Sequence, residues 1–377
     1  MRSTSRNLIS VEPIRTTRPG LKLREASLKD YDQIASLETR HGLAAKSFEE
    51  WTHLHVNNPL LPGSPIGWVI EGEDKQIVGS VGNVPLLYEL EGKRILAVTG
   101  RGLVTEPAFR SASLVLLDRL INQPGMDLFL TNAITPASAA AFSVLGCQRV
   151  PVGEWDQSAF WITGYLGFQK SLLVMKNLPA PLSYPLAVAA SLRDRLTKTP
   201  LGENDVEVQS CLRFDVRFDE LWEELRRKNP HLLLAIRSRE VLEWHFKYAL
   251  LKNRLWIATV VDGVRLSGYA IFDRRDNAKF GLKRIRLVDY QSLDGTTALL
   301  GPMLSWALKK CRDEGIHMLE DVGRWLEKGE LIDKAAPYRR NLSAWTYVYR
   351  ASNSNLAENL RERRVWSPSL FDATASL

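Results

Sequence analysis

A faint internal duplication constrains this chain more than any other feature. Glu50-Trp51 recurs as Glu243-Trp244, and Trp68-Val69-Ile70 followed by Gly79 recurs as Trp256-Ile257-Ala258 followed by Gly268. The Trp-to-Gly separations are 11 and 12 residues. A period near 190 residues far exceeds that of a solenoid repeat and reads as two copies of one domain fold. The length of 377 residues agrees, because domains run to roughly 100–200 residues each.

Periodicity fills in each copy. Leu21–Arg24 alternates as a strand, and Ser27 with Asp30 opens a helix carrying Ile34 and Leu37 on its apolar face. A second helix spans Phe48–Val56. Three antiparallel strands follow at Gly67–Glu71, Ile77–Leu90 and Lys93–Thr105, with turns at Gly72-Glu73-Asp74 and Glu91-Gly92. Helix Ser111–Asn122, strand Asp127–Thr131 and helix Pro136–Leu145, closed by Gly146, complete the order, and alternation returns over Val150–Leu166. The second half repeats it: helices at Phe218–Arg227 and from Ser238, a meander at Leu255–Val261, Val264–Arg274 and Lys283–Gln291, then helix Ala298–Glu314, strand Ile316–Val322, helix Trp325–Ala335 and strand Trp345–Tyr349. The expected class is α+β, each domain a mixed central sheet flanked by helices. The expected divisions are a flexible tail at 1–20, domain one at 21–178, a linker at 179–204, domain two at 205–350 and a carboxyl-terminal tail at 351–377.

Composition removes several functional classes. Apolar residues at 45% and charged residues at 25% fit a globular chain rather than a disordered one. Cys147, Cys211 and Cys311 are scattered and odd in number, which excludes a disulfide scaffold and a CxxC site and points to a reducing, cytoplasmic setting. The six histidines form no HExxH pattern, and His53 and His55 lie on different helix sides, so no metal is expected. Lys176, Asn177, Pro179, Pro181 and Pro185 interrupt the longest apolar stretch, so no spanning helix is expected. Basic and acidic residues cancel over 1–170, so the net charge of +7 lies in the remainder, in clusters such as Arg226-Arg227-Lys228 and Lys283-Arg284-Ile285-Arg286. Such clusters suit an anionic partner or a solvated face.

Several segments carry a family resemblance. Leu23-Arg24-Glu25-Ala26 with Asp30, Leu103-Val104-Thr105-Glu106-Pro107-Ala108-Phe109-Arg110, and Thr135-Pro136-Ala137-Ser138 with Phe142 and Leu145-Gly146-Cys147 resemble the GNAT acyltransferases. The likeness covers about 21–165 and, more weakly, 205–350 through element order and Asp289-Tyr290-Gln291. The Trp51 and Trp244 helices and the ending Trp366-Ser367-Pro368-Ser369-Leu370-Phe371-Asp372 resemble a tandem subset related to FemAB-like transferases, often associated with polysaccharide genes.

The resemblance implies an acyl-CoA co-substrate whose pyrophosphate rests on the amino end of the helix after Arg110, with Leu103, Val104, Arg110, Ser111, Ala112, Ser113 and Leu114 as cofactor-binding residues. Ser113 and Val115 stand where the family has glycine or another small residue. In the second copy, Gln291–Thr297 has its glycine out of register, and Asp294 would repel a pyrophosphate. Phe142 occupies the position of the family's tyrosine acid and has no proton to give. Glu106 and Asp289 are the candidate catalytic bases, and each also suits a cap or ion-pair role. Trp51 and Trp244 suit either core or the substrate-binding wall of a cleft. Three readings follow. The first is a tandem-GNAT N-acyltransferase acting on an amino group of a sugar or cell-envelope intermediate. The second is a FemAB-like transferase fed by aminoacyl-tRNA. The third is a degenerate pair serving as a binding or scaffold module.

Overall fold

The computed structural model describes residues 20–153, 155–197, 201, 206–323, 326–342 and 345–377. Apart from Gly20, the expected amino-terminal tail lies outside these residues, as does Trp325.

The first half runs β1 (Lys22–Glu25), α1 (Tyr31–Arg40), α2 (Phe48–His55), β2 (Gly67–Glu71), β3 (Ile77–Leu90), β4 (Lys93–Thr105), α3 (Ala112–Ile121), β5 (Leu128–Ile134), α4 (Pro136–Val144), β6 (Gln148–Arg149) and β7 (Gln157–Ile162). A helical pair follows, α5 (Tyr165–Lys176) and α6 (Ser183–Thr197). The second half runs β8 (Gln209–Cys211), α7 (Val216–Lys228), β9 (Leu234–Ala235), α8 (Arg239–Leu251), β10 (Leu255–Asp262), β11 (Arg265–Arg274), β12 (Arg284–Ser292), α9 (Leu300–Asp313), β13 (Met318–Val322), α10 (Leu326–Ala335), β14 (Tyr338–Asn341), β15 (Thr346–Ala351) and α11 (Ser354–Asn359). The long elements arise where their local signals lie: Ser27 and Asp30 form a reciprocal capping box ahead of α1, and Ser47 and Glu50 form another at α2.

Two mixed sheets share one plan. The first has the order β1-β2-β3-β4-β5-β15-β6, with β9 joined to β3, and the second, read in the same sense, is β8-β10-β11-β12-β13-β7-β14. In both, the fourth and fifth strands are the parallel pair, β4 with β5 and β12 with β13. The duplication visible at the tryptophans is therefore a duplication of topology.

The sixth place in each sheet corrects the expected boundaries. β15, assigned to 205–350, pairs antiparallel with β5 and β6 in the first sheet. β7, assigned to 21–178, pairs antiparallel with β13 and β14 in the second. Each half thus completes the other's sheet. The reason is hydrogen bonding: without the donated strand, β5 or β13 would present an unpaired buried edge.

Two further segments differ from expectation. Residues 183–197, read as linker, form α6, which packs on α5; the hydroxyls of Tyr165 and Tyr338 both donate to the buried Asp194 carboxylate. The early prolines sit in the turn and first turn of α6, where a missing N–H is tolerated. Residues 351–377, read as a tail, are core: Leu356, Leu360, Trp366, Leu370, Phe371 and Ala373 join the largest apolar cluster. Each large side chain buried there contributes roughly 1.5–3 kcal/mol, enough to fix the segment.

Candidate active site at the splayed strands

The parallel pairing of β4 with β5 is brief. Ala97 pairs with Leu128 and Val98 with Phe129; beyond them the two strands have no further register, although β4 continues to Thr105 and β5 to Ile134. On its other side β4 pairs with β3, but the register breaks between Ser80 and Gly82, leaving Gly102 and Leu103 without partners on either neighbour. Gly102 has φ +65°, the left-handed conformation that glycine adopts at a bulge. A splayed pair with a bulged edge leaves backbone groups able to receive an extended chain as an added strand.

The inner end of this gap is filled by the protein itself. Residues 374–376 form a single turn between β4 and β5. The Thr374 hydroxyl lies 2.6 Å from Thr99 Oγ1 and 3.1 Å from Thr131 Oγ1, and is within 3.2 Å of the Gly100 carbonyl. The Ala375 amide donates to Asn132 Oδ1 at 2.9 Å, while the buried Asn132 Nδ2 has no hydrogen-bond partner among the described residues. Gly102, Leu103 and Thr105, toward the outer end, remain half-exposed.

At that outer end α3 begins. Arg110 and Ser111 are exposed, and Arg110 forms no ion pair among the described residues. The Ser113 amide donates to the Arg110 carbonyl and the Leu114 amide to the Ser111 carbonyl, so the first turn closes on itself there. Val115 is buried, as are Leu116 and Leu117 after it. An exposed arginine at a helix amino end attracts an anion through its own charge and that of the helix dipole.

A carboxylate stands at the bulge. A Cβ on Gly102 would collide with Glu38 Oε1, so only glycine lets α1 set Glu38 against this point of β4. Glu38 is 5% exposed, and burial outweighs the Arg101 and Lys46 charges to hold its carboxyl above the ordinary range. A buried carboxylate with raised pKa is a better proton acceptor than a free one. Neither Glu38 nor Arg101 was singled out from sequence. The signal was Gly100-Arg101-Gly102, two glycines inside a strand, which marks a bulge and a close approach.

The expected bases have other tasks. Glu106, a half-exposed residue, accepts from Arg40 at 2.7 Å and pairs with His41 at 3.0 Å; these hydrogen bonds lower its pKa and weaken it as a base. Asp289 is fully buried. Arg237 donates to both its oxygens at 2.8 and 3.1 Å, and the Tyr269 hydroxyl donates at 2.8 Å. Burial alone would raise the Asp289 carboxyl, but Arg237 outweighs it and holds the group low. Asp289 is a structural anchor.

The second sheet also splays, since β12 and β13 pair only from Arg284 with Met318 to Leu287 with Asp321. Beyond that point the turn at 370–372 packs on β12, and Arg237 also reaches Asp372 at 2.7 Å. The loop after β12 is closed as well: the Thr296 amide and hydroxyl bond Asp294, and the Tyr290 and Ser292 hydroxyls bond the Thr296 carbonyl. The Asp294 loop thus folds on itself.

Trp51 and Trp244 are corrected from cleft wall to core. Trp51 is 4% exposed among Ile34, Leu37, Val69, Ile77 and Val104, and Trp244 is 6% exposed beside Leu54 and Val84, its indole N–H donating to the His53 carbonyl at 3.1 Å. Phe142 stacks on Phe129 with ring centroids 5.9 Å apart. Burial lowers His55 to about 4 and His245 to about 3, so both are neutral near pH 7. Burial pushes the Cys147 thiol up to about 12, which leaves it unreactive. Among the described residues there is no cluster suited to a metal ion, and no helix is long and apolar enough to cross a membrane.

Much of the positive charge of the second half is internally paired. Arg226 meets Glu89 and Glu223, Lys228 meets Glu224, Lys310 meets Glu314, and Arg284, Arg286 and Arg340 all meet the buried Glu320.

No protein-family model matches the sequence, and no curated protein matches it significantly. Solved structures do match in fold. A GCN5-related N-acetyltransferase from Kribbella flavida superposes with TM-score 0.55 at 12% identity, covering 88% of this chain and 71% of that one. Saccharomyces cerevisiae N-myristoyltransferase, solved with bound myristoyl-CoA and inhibitors, superposes with TM-score 0.56 at 13% identity, covering 91% and 83%. A probable N-acyltransferase from Enterococcus faecalis gives 0.54 at 13% identity, covering 88% and 73%. The chain therefore has a tandem GNAT-like fold. At these identities the likeness defines architecture and leaves activity to the site.

Proposed function

We propose that this protein is an N-acyltransferase that takes an acyl group from acyl-CoA and passes it to an amine in the first lobe. The observation that carries the reading is the gap between β4 and β5, bulged at Gly102 and Leu103 and leading to Arg110, which stands just ahead of α3 with no ion pair among the described residues. The pantetheine arm would lie along the half-exposed edge of β4 from Gly102 to Thr105, and the diphosphate beside Arg110 and Ser111. Similar architecture in N-acetyltransferases and in an N-myristoyltransferase solved with myristoyl-CoA supports this reading.

In the proposed reaction Glu38, directly or through one water, takes a proton from the acceptor ammonium. The freed nitrogen lone pair attacks the thioester carbonyl carbon. The C–N bond forms, the C–S bond breaks, and the thiolate leaves with the electron pair. Phe142 cannot protonate that thiolate, so the second proton that the nitrogen sheds as the amide forms reaches the sulfur through water. The second lobe supports the first, because its own gap holds Arg237, Asp289 and the turn at 370–372.

Isothermal titration with acetyl-CoA and with longer acyl-CoA thioesters tests the donor. Saturable heat, weakened in Arg110→Glu, is expected. Absence of heat with every thioester, or an Arg110→Glu variant equal to the parent, would sink the donor assignment. The closed second gap and the internally paired charges give no support to a tRNA donor. The acceptor expected from resemblance, a sugar or cell-envelope amine, has only that resemblance behind it.

A further inference from the structure

Between the two lobes, beside the Gly102 bulge, cations outnumber the carboxylates that face them. Arg101 on β4 and Lys46 ahead of α2 are half-buried, and among the described residues neither has an ion-pair partner within 4 Å or a side-chain hydrogen bond. Arg275 and Arg254 approach from the second lobe and share one carboxylate, Asp273, at 2.6 and 3.7 Å. Glu50, the nearest acid on α2, is taken by Lys252. Among the described residues Glu38 is the carboxylate that acts most on Arg101, and the reaction assigns it to the amine.

The turn at 374–376 ties these groups to the site. Thr374 reaches the Gly100 carbonyl, the residue before Arg101, and Arg275 Nη2 donates to the Ser376 carbonyl at 2.9 Å. The Ser376 hydroxyl lies 2.8 Å from His245 Nε2, and that imidazole is neutral and supplies no charge. Lys46 and Arg101 lie within electrostatic reach of each other and of Arg275. Burial, then the Arg101 charge, pulls the Lys46 ammonium down to about 8. Half-buried cations that outnumber the carboxylates near them are destabilised until a further anion joins them.

Resting on the acyl-transfer reading, we propose that Arg101 and Lys46 form an oxyanion seat, and that the acceptor is an amine bearing a carboxylate or phosphate group. The seat would hold that group while the amine faces Glu38. An arginine fork with an adjacent ammonium suits planar and tetrahedral oxyanions alike.

Trp51 and Trp244 provide an optical readout of this region. Succinate or inorganic phosphate, titrated into the whole protein, should change tryptophan emission saturably, whereas succinamide should not. Arg101→Met and Lys46→Met should weaken the response roughly tenfold or more, the scale of a lost charged hydrogen bond, and Arg101→Lys should retain part of it. Tighter phosphate than succinate binding points to a phosphorylated acceptor, and the reverse order to a carboxylate. Thiol release from acetyl-CoA should then favour an amino acid over its amide, or phosphoethanolamine over ethanolamine. No saturable response to either anion, or equal responses in the parent and both Met variants, overturns the seat. An intact anion response in a protein that binds no acyl-CoA retains the seat and removes the acyl-transfer reading instead.

Discussion

Glu38 is the residue on which the chemistry turns. If it is the base, Glu38→Gln should lower kcat/KM by roughly 10²–10⁴-fold, the usual share of a positioned proton acceptor. Its raised carboxyl also has a pH consequence. The base works only when ionised, so the parent's rate should fall as pH drops through a value above the ordinary range near 4.3. Stopped-flow thiol release across pH 4–8 should show that limb in the parent and not in Glu38→Gln; an identical limb in both would move the base elsewhere. Two other buried charges speak to stability. Replacing Arg237 by Met strands Asp289 and Asp372 without their counterion and should cost about 3–5 kcal/mol, read as a lower urea midpoint. Glu320 is held at about 2, because Arg286, Arg340 and Arg284 overcome the burial that would raise it. A carboxyl lowered on folding stabilises above its unfolded value and loses that contribution as pH falls toward 2. Glu320→Gln should therefore flatten the acid limb of a melting-temperature profile between about pH 4.3 and 2.

At the scale of single elements, the β4 bulge is the sensitive part. Gly102→Ala places a Cβ at φ +65° and against the Glu38 carboxylate. We expect a loss of at least about 1 kcal/mol from the conformation alone and a drop in turnover as Glu38 is displaced. Thermal melting and thiol release on one preparation measure both, and a fully active variant would detach Glu38 from the reaction. The same elements show what sequence reading can reach. β2, β3 and β4 were legible to the residue because their alternation ends in turn residues such as Glu91-Gly92, and α9 because Leu300, Leu304, Leu308 and Cys311 repeat at helical spacing. The segment of α6 reads as helix-like after its early prolines, but its docking was hidden, because the stretch passes for a linker when the partner α5 is unknown. The segment ending near Leu377 was hidden because its short turns have no periodicity; only tertiary packing orders Trp366, Leu370 and Phe371. Glu38 was obscured by a similar limit, since one glutamate on a helix carries no mark of the bulge it faces. Arg110, by contrast, was singled out through the family resemblance, and the structure places it exposed ahead of α3.

The molecule as a whole should behave as one cooperative body despite its duplicated plan. The two halves exchange β7 and β15, and the largest apolar cluster draws on both, from Leu86 and Tyr88 to Phe214, Trp366 and Phe371. Urea unfolding followed by tryptophan emission and by far-ultraviolet circular dichroism should give coincident single transitions. Fragments 20–178 and 205–377 should each remain unfolded alone and recover native chromatographic behaviour only when mixed or co-expressed. Two separated transitions, or a stable isolated fragment, would contradict this interdependence. The strand exchange also bears on biosynthesis. β5 leaves the ribosome about 210 residues before the β15 segment that must pair with it. At ordinary translation speeds that is a wait of roughly 10–40 s. Throughout it, the nascent first sheet carries a bare, apolar edge, so chaperone capture during synthesis is the hazard this topology builds in.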